Sequence, residues 1–141
     1  MAQTPEGKVK DRAKVHIKTA GGVYDRSAQT GMGQNGRPDD IVWRPGDGAA
    51  AGVEYKRDGL FKVSALQRVW LTKLSALGGN TMVINLTNVD SLLPRWLAMP
   101  GWRVVARFDD PKKPDLCTGH EVFAPSGESH LIKNPGGKPG K

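Results

Sequence analysis

The stretch Gly52-Val53-Glu54-Tyr55-Lys56-Arg57, GVEYKR, lies at the centre of the predicted fold. Its valine and tyrosine favour a β-strand. Side chains alternate along a strand, so Glu54 and Lys56 share one face while Val53 and Tyr55 share the other. A carboxylate and an ammonium group on one face form either an exposed ion pair or part of a functional site. The neighbouring sequence must decide between these two interpretations.

The segments around GVEYKR predict an α/β fold. Ile41-Val42-Trp43 is a short strand, and the Gly-rich loop RPGDGAAAG joins it to GVEYKR as a hairpin. The run 81–86 is apolar and indicates a buried strand, so the intervening helix makes a parallel strand pair. That helix, predicted over 64–77, carries apolar residues at helical spacing that should face the core: Leu66, Val69, Trp70, Leu74 and Leu77.

Further elements complete a small central mixed β-sheet flanked by α-helices on both sides. A basic helix begins at Thr4-Pro5 and ends before Gly21, a second short helix covers 89–99, and a last strand covers 102–108. We predict one domain over residues 1–110. Residues 111–141 form a C-terminal extension whose end, NPGGKPGK, is typical of a basic disordered tail.

The charge of the chain points to a polyanionic partner. Its 141 residues include 21 Lys and Arg against 14 Asp and Glu, a net charge of +7. Neutralising phosphates releases counterions and drives association with nucleic acid. The single Cys117 excludes an intramolecular disulfide, and neither a membrane span nor a signal peptide is present. A cytoplasmic protein with no membrane partner is therefore expected.

The hairpin predicts a divalent-metal site. Asp39 follows Pro38 at the start of one strand, and the returning strand brings Glu54 and Lys56 beside it. Two converging carboxylates, with the Tyr55 carbonyl as a neutral oxygen ligand, suit Mg²⁺ or Mn²⁺. A lysine on the same face can hold a water molecule or stabilise charge on a phosphate oxygen. This combination predicts phosphodiester hydrolysis.

The pattern Pro38-Asp39 followed by Glu54-Tyr55-Lys56 resembles the PD-(D/E)xK nuclease superfamily. The segments TPEGKVKDR, TGMGQNGRPDDIVW, GVEYKRDG and ALQRVWLTKLSALGGNTMVI resemble the virus-type replication-repair nuclease (VRR-NUC) family, particularly its small stand-alone phage members, over roughly residues 4–90. The resemblance implies a restriction-endonuclease-like fold and a Mg²⁺- or Mn²⁺-dependent DNA endonuclease. It further implies a homodimer, similar to Holliday-junction resolvases, that cuts branched or flap DNA in phage replication, recombination or repair. A replication or recombination protein in the host cytoplasm would then be its partner.

The resemblance also assigns roles to individual residues. Asp39 and Glu54 hold the metal, Glu6 in the first helix supports it, and Lys56 acts on the attacking water. Gln67 contributes a hydrogen bond to the site. Two alternatives remain open: Gln67 could instead close a capping box with Ser64, a role expected to compete for the same side-chain amide, and Glu6 could simply complement the helix dipole.

Asp40 departs from the family pattern, in which an apolar residue is usual. Extended backbone should point it away from Asp39, and we interpret it as solvent-exposed. The predicted DNA contacts are Arg37, Arg57 and Lys62, which flank the metal, and Lys8 of the first helix. The alternative function is a non-catalytic basic nucleic-acid-binding protein that retains the nuclease fold.

Overall fold

A computed structural model describes residues 4–26, 36–57 and 59–134. The start of the TGMGQNGRPDDIVW segment, residues 30–35, and most of the predicted C-terminal tail, residues 135–141, lie outside the described residues. The elements run in the order α1 (Pro5–Ala20), β1 (Val23–Arg26), β2 (Asp40–Trp43), β3 (Ala50–Tyr55), α2 (Ala65–Ala76), β4 (Asn80–Ile84), α3 (Leu92–Leu97), β5 (Arg103–Arg107), β6 (Gly119–Phe123) and β7 (Ser129–Lys133).

The two long helices begin and end at the residues that local chemistry selects. Thr4 accepts a hydrogen bond from the Gly7 amide at 3.0 Å, and Gly21 ends α1 in the left-handed conformation, with φ of 88°. Ser64 caps α2 and forms a complete capping box with Gln67. Both predicted helix starts are confirmed.

The first sheet is mixed, as predicted, and has the strand order β1-β2-β3-β4. The β1–β2 and β2–β3 pairs are antiparallel, whereas β3 and β4 are parallel and are connected through α2. Leu74 of α2 packs directly over Gly52 of β3, where a Cβ would lie 2.8 Å from Leu74 Cδ1. The predicted hairpin and the predicted parallel crossover are therefore both present.

Helices cover both faces of this sheet. On one face, α1 and α3 bury Val9, Ile17, Leu93 and Trp96 against the strands. On the other face, α2 packs through Leu71 in a smaller cluster that also contains Phe61, Val63 and Val83. No helix within the described ranges is long and apolar enough to cross a membrane.

The predicted core face of α2 is only partly correct. Leu71 is buried, but Leu66 and Leu77, near opposite ends of the helix, remain 52% and 85% exposed, and Trp70 is half-buried rather than in the core. Leu71, which the predicted set did not include, is the residue that α2 buries fully. Helical spacing thus predicted the helix correctly and its buried face only in part.

A second, antiparallel sheet of order β5-β6-β7 follows, and no sequence signal pointed to its last two strands. Side chains, rather than a backbone ladder, hold it on the free edge of β4. The Asn80 side chain accepts from the Val104 amide at 2.8 Å, and the Thr81 hydroxyl accepts from the Ala106 amide at 2.9 Å. The β5–β6 ladder crosses the domain boundary predicted after residue 110, and Val122 of β6 lies in the main core.

Candidate active site

The hairpin brings Asp39 and Glu54 together. Asp40 pairs with Val53 across β2 and β3, which places Asp39 next to the end of β3. One carboxylate oxygen of Asp39 accepts a hydrogen bond from the Tyr55 amide at 2.8 Å. The carboxylate thus takes the place of a backbone acceptor where the ladder ends, and it is fixed beside Glu54.

Glu54 is a buried carboxylate with one unsatisfied oxygen. Its side chain belongs to a residue only 2% exposed, and Oε2 has no hydrogen-bond partner among the described residues. Burial, and then the negative charge of Asp39, raise the pKa of Glu54 well above its ordinary value, while the charge of Lys56 opposes this shift. A buried anionic oxygen without a partner is costly, so this position favours a cation.

Gln67 connects Glu54, Lys56 and the start of α2. Its Nε2 donates to Glu54 Oε1 at 2.8 Å, and its Oε1 accepts from Lys56 Nζ at 3.1 Å and from the Ser64 amide at 2.8 Å. The expected competition between capping and site roles is therefore wrong, because the amide nitrogen serves the site while the oxygen serves both. A single carboxamide can do this because it carries a donor and an acceptor with two lone pairs.

Lys56 lies immediately after β3 on the same side as Glu54. Its backbone amide donates to the Ile84 carbonyl at 2.8 Å, which keeps the strand extended through this residue. The interpretation of Glu54 and Lys56 as an exposed ion pair is excluded, since Glu54 is buried and Gln67 lies between the two groups. The ammonium group is held instead by a neutral oxygen.

Glu6 and the Tyr55 carbonyl are less well supported as metal ligands than Asp39 and Glu54. Glu6 is half-buried in the first turn of α1, and its charge also raises the pKa of Glu54, as the smallest of the contributions. Among residues 4–26, 36–57 and 59–134, no group of three or more His, Cys, Asp or Glu side chains could hold a metal ion. The roles of Glu6 and of the Tyr55 carbonyl as ligands stay predictions.

The interpretation of Asp40 as solvent-exposed is wrong. Asp40 points away from Asp39, as expected. However, this face of β2 is the one covered by α1, and Asp40 is 0% exposed. It accepts from Arg26 Nε at 2.9 Å, from Arg26 Nη2 at 3.1 Å and from the Tyr55 hydroxyl at 2.7 Å. Strand alternation could have placed Asp40 and Tyr55 on one face, but nothing in the sequence indicated that Arg26 would reach them from β1.

The four predicted DNA-contacting residues are all exposed: Lys8, Arg37, Arg57 and Lys62. Lys8 lies on α1 close to Glu6, whereas Arg37 and Arg57 come two residues before Asp39 and directly after Lys56. These positions surround the carboxylate pair along the chain. Their contact with DNA stays a prediction.

Comparisons with known proteins identify the class of this domain. No protein-family model matches the chain, and no curated protein matches it. Among solved structures, one described as a "VRR_NUC domain" superposes with a TM-score of 0.58 at 29% sequence identity, covering 66% of this chain and 98% of that chain.

The fold is thus a mixed α/β domain of the PD-(D/E)xK type, as predicted. The match confirms the resemblance to the VRR-NUC family that was found in the sequence.

Proposed function

We propose that the protein is a divalent-metal-dependent DNA endonuclease. The observation that carries this proposal is the unsatisfied, buried Oε2 of Glu54 next to Asp39, within a VRR-NUC fold. A buried carboxylate and a half-buried one that repel each other are stabilised most directly by a cation.

The donor set fits Mg²⁺ or Mn²⁺. Asp39 and Glu54 would hold the ion through carboxylate oxygens, the Tyr55 carbonyl would add a neutral ligand, and Glu6 would act through water. Hard oxygen ligands of this kind are those that both ions prefer. When bound, the cation would polarise the scissile phosphate and lower the pKa of its bound water.

Lys56 would act on the attacking water and on the phosphate, and Gln67 would hold Lys56 and Glu54 in position. Because Gln67 Oε1 accepts from Lys56 Nζ, the ammonium group stays on the Glu54 side of the strand. From there it can orient the attacking water and stabilise negative charge that develops on the phosphate. Because Gln67 donates to Oε1 of Glu54, Oε2 is the oxygen that would be available to a metal ion.

The preferred substrate in this proposal is branched or flap DNA, cut during phage replication, recombination or repair. The exposed cations around the carboxylates would contact the phosphates on both sides of the cut. Symmetric nicking of a four-way junction needs two sites, so a two-fold homodimer, assisted by a replication or recombination protein, is part of the proposal.

The test is a cleavage assay on labelled linear, nicked, flap and four-way-junction DNA with Mg²⁺, Mn²⁺ or EDTA. We expect metal-dependent cutting that disappears in Lys56→Ala and Asp39→Ala while DNA binding persists. Tight binding without cutting under any metal would refute the endonuclease and favour a non-catalytic nucleic-acid-binding protein.

A further inference from the structure

We propose that a second phosphate-binding site lies between α3 and β7, apart from the carboxylate pair. A cavity of about 200 Å³ opens there. Ser91 and Arg95 line it from the α3 side, Lys133 and Asn134 line it from the end of β7, and the buried His120 of β6 contributes to its wall. That its ligand is a phosphate of DNA rests on the proposed function, whereas phosphate binding itself does not.

The cavity is lined by positive charge that has no partner. Arg95 and Lys133 are exposed, and within the described parts of the chain neither has a carboxylate at ion-pair distance. None of the described residues that line the cavity is acidic. Asp90, one residue before Ser91, is bound instead by Arg12 and by His16 at 2.7 Å on α1. The field at the mouth therefore favours an anion.

The other polar groups of the cavity are largely satisfied within the protein. His120 Nε2 accepts from the Val83 amide at 3.0 Å, and the Asn134 amide donates to the Cys117 carbonyl at 2.8 Å. The Ser91 hydroxyl reaches a backbone carbonyl only at 3.4 Å, beyond the usual range for a hydroxyl donor. The donors left for a ligand are thus a guanidinium, an ammonium and a weakly engaged hydroxyl, a set that suits a phosphate group.

The cavity is connected to the candidate active site through β4. Glu54 is paired with Val83 across the β3–β4 ladder, and Val83 is held on its other edge by His120. Adjacent strands are about 4.8 Å apart, so His120, on the far side of β4, lies roughly two strand spacings from Glu54. The carboxylate is held from the α2 side and the cavity is lined from α3, so a DNA strand that crosses the carboxyl ends of β3 and β4 would contact the two sites at different phosphates.

The test measures binding in EDTA, so that it does not depend on cleavage. The affinity of wild type for a labelled flap DNA is compared over a series of salt concentrations with that of an Arg95→Gln/Lys133→Gln double variant. A Lys18→Gln/Lys73→Gln variant, on exposed positions of α1 and α2, has the same change in net charge and serves as control. We expect the slope of log affinity against log salt to fall by about 1 in the cavity variant only, as for one lost phosphate contact. Equal effects in both variants would refute a DNA phosphate in the cavity.

A titration of wild type with inorganic phosphate, followed by ¹H–¹⁵N NMR, separates the two sources of phosphate. Shifts confined to the Ser91, Arg95 and Lys133 resonances, together with the changed salt slope, would support a DNA phosphate. The same shifts with an unchanged salt slope would support a free phosphate ligand and overturn the DNA assignment. No shift and no slope change would overturn the site altogether. A wild type that binds DNA but never cuts it would refute the endonuclease and leave this result unaffected.

Discussion

Gln67 donates a 2.8 Å hydrogen bond to Glu54 while its oxygen closes the cap of α2, so the helix start and the carboxylate are held by one side chain. A substitution of Gln67 can therefore affect both the cap of α2 and the candidate active site. The two roles can nevertheless be separated, because they use different atoms of the amide.

Gln67→Glu should retain the cap and impair the site. Its carboxylate can still accept from the Ser64 amide, but it cannot donate to Glu54 and adds a like charge beside it. We expect cleavage to fall by about 10- to 100-fold, as for other groups that orient metal ligands. Ser64→Ala is the matched control: it should lower the free energy of unfolding by about 1 kcal/mol and leave cleavage nearly unchanged. Similar cleavage rates in the two variants would contradict the site role of Gln67.

Glu54→Gln should stabilise the metal-free protein while abolishing cleavage. The substitution removes a carboxyl group whose ionisation is disfavoured by burial and by Asp39, and it places an amide donor at the Oε2 position, where the Asp39 carboxylate can accept from it. We expect an increase of about 1–3 kcal/mol in the free energy of unfolding in EDTA. Thermal unfolding with and without Mg²⁺ tests this directly.

The metal dependence of that measurement provides the control. Wild type should be stabilised by Mg²⁺ through its preferential binding to the folded state, whereas Glu54→Gln should respond little. A Mg²⁺-induced rise in the melting temperature that is equal in both proteins would remove Glu54 from the metal site.

The elements around the site could be predicted because they depend on short-range signals. Strand alternation and a hairpin of a few residues suffice to place Asp39 beside Glu54. The burial of Asp40 could not be predicted, since it depends on Arg26, an edge-strand residue that pairs across the sheet. The last strand was predicted at β5, but β6 and β7 were missed, because their sheet attaches to β4 through the side chains of Asn80 and Thr81 rather than through an apolar pattern.

Tyr55→Phe should destabilise the fold through Asp40. The variant removes the 2.7 Å bond from the phenol and leaves the buried carboxylate with Arg26 as its partner. Hydrogen bonds to charged groups contribute about 1.5–3 kcal/mol, so a loss in this range is expected in denaturant unfolding. Tyr24→Phe, which removes the hydroxyl of a half-buried tyrosine lying against the Arg26 guanidinium, should cost much less. Equal losses would show that the Tyr55 hydroxyl contributes nothing specific.

His120 should make stability depend on pH. Burial lowers the pKa of its imidazole from 6.5 to about 4, and Nε2 must stay unprotonated to accept from the Val83 amide. Because the folded-state pKa is the lower one, the unfolded state binds the proton first as the pH falls. The stabilisation is complete above about pH 6.5 and is lost progressively down to about pH 4.

The loss of stability at low pH can be estimated from the lowered pKa of His120. A difference of 2.5 pKa units between 6.5 and about 4 corresponds to about 3 kcal/mol, so wild type should lose stability of this order between pH 7 and pH 4. His120→Gln offers an acceptor oxygen that does not titrate in this range, and guanidinium unfolding at both pH values should show a smaller loss for this variant. Because carboxylates elsewhere contribute to acid sensitivity in both proteins, the difference between the two losses isolates the histidine. If the two proteins lose stability equally, His120 is not the group responsible.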